Sequence, residues 1–346
     1  MRDLKALVRQ NVLNLTPYSC ARDEFQGSEG IFLDANENPY GTLNRYPDPY
    51  QKELKKKISE IKAMPEENIF IGNGSDEVID LCYRTFCNPG LDNALIFPPT
   101  YGMYEVSAAV NDIAVVKIPL NTEFQIDAEA AQKVLNDKNL KLIFICSPNN
   151  PTGNAMNKNV VDEIIQNFSG IVVIDEAYSD FSDKQSFAGL VDKYNNIIVM
   201  QTFSKALGLA AARVGMALTS PEIVSFFNKI KPPYNVSTIN QKAALARLGQ
   251  REETMQLVKE IVSERERMRE EIGKFPYVEK IFPSDANFLL IKVNNANDLY
   301  QYLISGNIVV RNRNSIIGNC IRITVGKKSE NELLIKSLEK YPLRPL

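Results

Sequence analysis

Residues 196–217, NIIVMQTFSKALGLAAARVGMA, set a buried strand directly ahead of a lysine. The apolar run Ile197-Ile198-Val199-Met200 has the length and β-branched content of a strand covered on both faces. Thr202, Ser204 and Lys205 follow at once, then small residues, then Arg213. A lysine in that position has two readings. It can be a solvated cation at a strand end. It can also be a partly desolvated amine: burial disfavours the ammonium form, and the neutral amine is a nucleophile toward carbonyl carbon. Four other segments favour the second reading.

Ile171-Val172-Val173-Ile174-Asp175-Glu176-Ala177-Tyr178 is a second buried strand, ending in a carboxylate with a tyrosine three residues on. Taken alone, Asp175 is equally well a strand-end cap. Residues 142–153, LIFICSPNNPTG, are a strand breaking into a turn; turn chemistry accounts for the prolines and glycine but not for the paired asparagines. Residues 68–77, NIFIGNGSDE, run from a strand through glycines into a helix, where backbone N–H groups and the helix dipole favour a phosphate. Ser75 and Asp76 also make an ordinary helix start. The last segment is Pro98-Pro99-Thr100-Tyr101-Gly102.

SPNNPTG, DEAY and TFSK followed by Arg213, in this order, are similar to the pyridoxal-phosphate (PLP) enzymes of fold type I, specifically the class I/II aminotransferases. The resemblance runs through nearly the whole chain. Residues 33–41 (LDANENPYG), 44–49 (NRYPDP), 72–77 (GNGSDE), 99–104 (PTYGMY) and 320–326 (CIRITVG) resemble the branch that acts on histidinol phosphate. This implies an α/β fold: a large domain with a mostly parallel seven-stranded sheet and a smaller α+β domain. It implies that Lys205 binds the cofactor covalently and moves the proton. Asp175 would hold the ring nitrogen protonated, and Asn150 and Tyr178 would donate to the phenolate oxygen. Ser75, Asp76, Thr202, Ser204 and Arg213 would hold the phosphate, and Tyr101 would stack on the ring. Tyr46 would reach the phosphate of a partner subunit, so a homodimer with shared sites is implied. Arg322 would bind the substrate anion in both half-reactions, with Tyr18 and Asn38 nearby. The implied substrates are histidinol phosphate with 2-oxoglutarate, and imidazole-acetol phosphate with glutamate. A threonine-phosphate decarboxylase and a broad aromatic or aliphatic aminotransferase share most of these motifs. A PLP-binding transcription regulator would need a further DNA-binding domain, for which the fold leaves no room in this length.

The chain has 346 residues, 44% hydrophobic and 24% charged, enough for two lobes with a sizeable core. The formal net charge is −2, which gives no electrostatic reason to expect nucleic acid or an anionic membrane. Five cysteines at spacings that match no metal motif read as reduced thiols in a cytoplasmic protein. Histidine is absent, which removes His-activated nucleophiles and histidine metal ligands, and no metal is expected. Proton transfer near neutral pH then falls to another group, and a lysine of lowered pKa is the natural one. No run approaches the length of a membrane helix, residues 1–15 lack a secretory h-region, and no GxGxxG follows the first strand.

Read in order, residues 1–15 are a short amphipathic helix and 16–50 an irregular, tyrosine-bearing arm, together a lid that packs with the small domain. Residues 51–240 alternate helices with apolar strands near 69–72, 94–97, 114–118, 142–146, 171–175, 197–201 and 214–218. Ligands in such sheets sit beyond the carboxyl ends of strands, where Asn150, Asp175 and Lys205 all fall. Residues 241–346 form the small domain: one long helix over 241–274, strands near 287–293, 307–311 and 320–325, and helices near 297–305 and 329–340. Arg322 alternates with Ile321 and Ile323, so plain strand logic turns it away from the core and into solvent. Arg311 and Arg313 read as solvated, with a place near the pocket as the alternative.

Overall fold

The computed structural model describes residues 2–18 and 30–342. The large sheet contains β1 (Ile69–Asn73), β2 (Asn93–Ile96), β3 (Ala114–Lys117), β4 (Leu140–Cys146), β5 (Ile171–Asp175), β6 (Ile197–Thr202) and β7 (Val214–Thr219), in the order β1-β7-β6-β5-β4-β2-β3. Pairings are parallel from β6 to β3, while β7 is antiparallel to both β6 and β1. Its helices are α1 (Lys52–Lys62), α2 (Ser75–Phe86), α3 (Met103–Val110), α4 (Lys158–Asn167), α5 (Pro221–Ile230) and α6 (Thr238–Gly249).

The central strands read as unbroken apolar runs because both faces are buried. Successive residues alternate between two cores. Ile143, Ile145, Val172 and Ile174 pack with α1, α4 and α6. Leu142, Phe144, Ile171 and Val173 pack with α2, α3 and α5. Each such side chain contributes about 1.5–3 kcal/mol on full burial, so the sheet is the rigid frame and its edge a fixed platform. The carboxyl ends of β1, β2, β4, β5 and β6 share one edge. Because β7 runs antiparallel, its amino end, just after Arg213, lies at that edge too.

A second sheet contains β8 (Val278–Ile281), β9 (Phe288–Val293), β10 (Arg311–Asn312) and β11 (Cys320–Thr324), antiparallel in the order β10-β11-β9-β8. With α7 (Arg251–Ile272), α8 (Ala296–Ser305) and α9 (Lys328–Glu339) it encloses its own core around Met268, Leu289, Ile291, Leu299, Ile321, Ile323 and Leu334. The two units are tied at the SPNNPTG turn. Ala155 N–H donates to Asp285 Oδ2 (2.8 Å), and Asp285 N–H donates to Gly153 O (2.7 Å).

The family fold and the seven-stranded sheet hold, and several local expectations do not. The long helix over 241–274 is two helices separated at Gln250. Ala244 and Leu248 of α6 lie in the large unit's core, so a boundary at 240 falls inside an element of that unit. The strand expected over 307–311 is only Arg311–Asn312, and β8 was not expected. Residues 1–15 form two separate turns, Lys5–Leu7 and Gln10–Leu13. Their buried Leu4, Val8 and Val12 join the α2/α3/α5 core, so this part of the arm packs on the large unit and not on the small one. Cys20 lies outside the described residues.

Candidate active site

The strand-end edge brings most of the expected residues into one pocket. Asp175 closes β5, opposite Cys146 of β4 in register, and is 4% exposed. Its Oδ1 accepts from Ala177 N–H (3.0 Å) and its Oδ2 from the Tyr104 hydroxyl (2.7 Å). It forms no ion pair among the described residues. Burial pushes its pKa above the usual carboxylate range, and the Tyr104 and Ala177 hydrogen bonds oppose that shift.

Lys205 follows β6 and is exposed, with its Nζ 5.6 Å from the centre of the Tyr178 ring. The protein around it disfavours its charged form, and the Arg322 guanidinium adds to this, so its pKa lies below the ordinary lysine value. Tyr178 is buried edge-on against Phe288 (5.3 Å between centroids), and burial raises its phenol pKa, so it remains a hydrogen-bond donor.

The paired asparagines divide the work. Asn149 is fully buried and clamps two loops: its Nδ2 donates to Pro99 O (2.8 Å) and Thr152 Oγ1 (2.7 Å), and its Oδ1 accepts from Thr100 Oγ1 (2.9 Å). Asn150 accepts from Nη1 of Arg322 through its Oδ1.

At the other end of the pocket, α2 begins at Gly74, whose φ is +78°. The helix has no side-chain N-cap there, whereas α5 and α6 are capped by Ser220 and Ser237. A Cβ on Gly74 would lie 2.6 Å from Nη2 of Arg213, and one on Gly215 would lie 2.2 Å from Ser75 N. Only glycine therefore lets backbone and guanidinium converge. Arg213, itself left-handed at φ 49°, pairs with Asp76 Oδ2 (3.3 Å) and donates to Ser204 Oγ (3.5 Å). Asp76 Oδ1 accepts from the Tyr101 hydroxyl (3.1 Å), and Thr202 Oγ1 accepts from Ser204 N–H (3.1 Å). Ser75, Asp76, Tyr101, Thr202, Ser204 and Arg213 thus form one cluster around an uncapped helix end, an arrangement suited to a phosphate.

Arg322 departs from plain strand logic. It does face away from Ile321 and Ile323, but that side is pocket wall and not bulk solvent. Its guanidinium lies over the Phe288 ring (5.1 Å), and its Nε is buried without a partner. Arg311 sits directly across β10 in register, on the same face. Arg313, expected to be solvated, is half-buried with its Nε also unpartnered. Burial and the neighbouring Arg322 and Arg311 charges push its pKa down to about 10. Arg322 and Arg313 thus gather beside an exposed Arg311, and none of the three has a carboxylate partner among the described residues, which leaves a place for an anion.

Three expected residues are not part of this cluster within the single chain. Tyr46 stacks on Tyr234 (4.4 Å between centroids, 14°). Tyr18 is 73% exposed, and the Asn38 side chain turns back to accept from Tyr40 N–H (3.0 Å). Tyr104 and Phe288 were not singled out from sequence, and Asn149 only as one of the paired asparagines. Tyr104 lies inside the quoted PTYGMY, and Asn149 inside SPNNPTG.

Comparison with known proteins gives the family and the fold. The family model for aminotransferases of class I and II matches residues 16–338. A histidinol-phosphate aminotransferase of Cytophaga hutchinsonii is 49% identical over 345 residues, which is 98% of this chain and 99% of that one. The crystal structure of the histidinol-phosphate aminotransferase from Clostridium acetobutylicum superposes with a TM-score of 0.78 at 26% identity, covering 86% of this chain and 90% of that one. The enzyme from Sinorhizobium meliloti, solved in complex with pyridoxal 5'-phosphate, shares the fold with a TM-score of 0.78 at 23% identity, covering 89% and 90%.

Proposed function

The chain belongs to the class I and II aminotransferase family, and we propose that within it the protein exchanges an amino group between L-histidinol phosphate and 2-oxoglutarate. The products are imidazole-acetol phosphate and L-glutamate, a step of histidine biosynthesis. Near-full-length identity to the Cytophaga enzyme supports this reading. The structural observation that carries it is the arginine group. Arg322 and Arg313, partly desolvated, with the exposed Arg311 beside them, offer a positive cluster with no carboxylate partner among the described residues to a substrate that bears a dianion.

The residues present fit pyridoxal 5'-phosphate. Asp175 is a buried carboxylate with no ion-pair partner among the described residues. The Gly74 turn and uncapped α2 offer backbone N–H groups beside Arg213, in a space that a Cβ would fill. When bound, the cofactor supplies an aldehyde for the amino group and an electron-withdrawing ring. Lys205 is the nucleophile that would hold that aldehyde, and its lowered pKa keeps a fraction of neutral amine available to accept and return a proton. Asp175 would keep a ring-nitrogen proton in place. Tyr178 and Asn150 would donate to the ring oxygen. Asn150 has its Oδ1 engaged by Arg322, which leaves its Nδ2 as the donor. Arg322 would bind the substrate carboxylate in one half-reaction and the phosphate in the other. Arg311 and Arg313 add the charge that favours the phosphate.

The same reading makes the enzyme a homodimer. Ile31, Leu33, Tyr40 and Leu43 of the arm are 91%, 89%, 83% and 65% exposed, an apolar face suited to a second copy, from which Tyr46 would reach the partner's phosphate cluster. Tyr18 and Asn38 belong to the same reading, near the substrate once the arm is seated. We place the enzyme in the cytoplasm, where its buried thiols at Cys82, Cys87, Cys146 and Cys320 would stay reduced. No described helix is long and apolar enough to cross a membrane. Borohydride reduction of the PLP-loaded protein followed by peptide mapping tests the cofactor site. The label should fall on Lys205, and a label on any other lysine would overturn the assignment.

A further inference from the structure

We propose that Tyr104 is a positioning residue for Asp175: its hydroxyl donates to the carboxylate at the end of β5 and fixes its orientation. The inference rests on the reading that Asp175 meets the cofactor's ring nitrogen only for its consequence in catalysis. The contact itself does not depend on that reading.

Tyr104 has 0% exposure, so its hydroxyl must find a partner inside the protein. Backbone carbonyls are available for this purpose, as Tyr83 shows by donating to Tyr104 O (2.9 Å). Tyr104 donates instead to the one buried carboxylate that closes the pocket, at 2.7 Å. Its ring cannot easily turn away. It stacks on Phe144 of β4 (4.9 Å, 19°), meets Tyr101 edge-on (5.6 Å, 85°), and is carried on α3, whose Ala108 is also in the core.

Two donors therefore pin the two oxygens of Asp175, Ala177 N–H on Oδ1 and Tyr104 on Oδ2. Each oxygen keeps a further lone pair for a ligand. The phenol remains a donor, because burial and the neighbouring Asp175 charge raise its pKa well above the ordinary tyrosine value. Other ionisable neighbours are Cys146, whose thiol burial pushes up, Asp76, which disfavours the Asp175 charge, and Lys205, which favours it. The Tyr104 hydrogen bond is the main influence opposing the effect of burial on Asp175, followed by the Ala177 N–H. Without it the carboxylate would bind a proton more tightly and rotate more freely.

The test is carbon-13 NMR of aspartate carboxyls in the full-length chain without cofactor, with Asp175 assigned by its loss in Asp175→Asn. In Tyr104→Phe, which keeps the ring, the Asp175 midpoint should rise by about one pH unit, as expected for loss of one hydrogen bond to a charged group. Tyr83→Phe removes an equally buried hydroxyl that does not touch Asp175, and should leave the midpoint in place. If Tyr104→Phe does not accumulate as folded protein, a fluorinated tyrosine at position 104, a stronger donor, should lower the midpoint. An unmoved midpoint in the Tyr104 variant, or an equal move in the Tyr83 variant, overturns the proposal. In the PLP-loaded enzyme, Tyr104→Phe should lower kcat several-fold with KM for both substrates unchanged, and should shift the pH dependence of the cofactor absorption. If the midpoint moves while the absorption does not, the Tyr104 assignment stands and the ring-nitrogen reading of Asp175 is what fails.

Discussion

Removal of the Arg322 guanidinium is the perturbation whose size the structure bounds best. Arg322→Ala deletes one planar fork from the arginine group and leaves Arg311 and Arg313 in place. The lost interaction is a charge-assisted hydrogen bond to an anion, worth about 1.5–3 kcal/mol, or roughly ten- to a hundredfold in kcat/KM. The two remaining guanidiniums still attract the anion, which argues for the lower part of that range with histidinol phosphate. Glutamate presents a monoanionic carboxylate to the same fork and should lose more. Arg322→Lys keeps the charge but not the bidentate geometry, and should fall between the wild type and Arg322→Ala. The folded state should change little. Loss of the contact over Phe288 costs about 0.5–1 kcal/mol, and thinning a cluster of like charges opposes that loss. Steady-state kinetics with each amino donor separately, alongside a thermal melt, measure both sides. If Arg322→Ala keeps kcat/KM within twofold for both donors, Arg322 is not the substrate anchor, whatever its place in the pocket wall.

Three further outcomes follow from the same geometry. Arg313→Gln should reduce kcat/KM for histidinol phosphate more than for glutamate, because the extra charge matters most to a dianion; equal losses would argue against a phosphate role. Asp175→Asn should retain PLP and the wild-type melting temperature, since an amide can accept from Ala177 N–H and donate to the Tyr104 oxygen, while turnover falls by about two orders of magnitude or more; near wild-type turnover would leave Asp175 a strand-end cap. Arg322→Ala removes a cation that disfavours the Lys205 ammonium, so the Lys205 pKa should rise. The rate of trinitrophenylation of Lys205 in the cofactor-free protein should then follow a curve displaced to higher pH, and an unmoved curve would deny the coupling.

The large sheet was legible because strands buried on both faces leave continuous apolar runs, and β4, β5 and β6 all carry them. Asp175, Lys205 and Asn150 were legible as neighbours because each follows such a run. Arg322 shows where one-dimensional logic stops. Its alternation with Ile321 and Ile323 correctly turns it from the small core, but sequence does not show that Phe288 and Asn150 wall off the other side. The break at Gln250 was missed because Gly249 and Gln250 are tolerated within a helical pattern. Tyr104 escaped notice because a buried aromatic three residues past Tyr101 looks like ordinary core. Tyr18 is exposed, and Asn38 and Tyr46 make contacts within one chain that give no sign of the pocket; Tyr46 was expected to act on a partner subunit, Tyr18 and Asn38 near the substrate.

The most direct measurement of the account is product stoichiometry. The purified protein, loaded with PLP and given L-histidinol phosphate and 2-oxoglutarate, should form glutamate and imidazole-acetol phosphate one for one, and given threonine phosphate it should release no carbon dioxide. Carbon dioxide from threonine phosphate without glutamate from histidinol phosphate would make the chain a decarboxylase on the same fold and contradict the function proposed for this pocket.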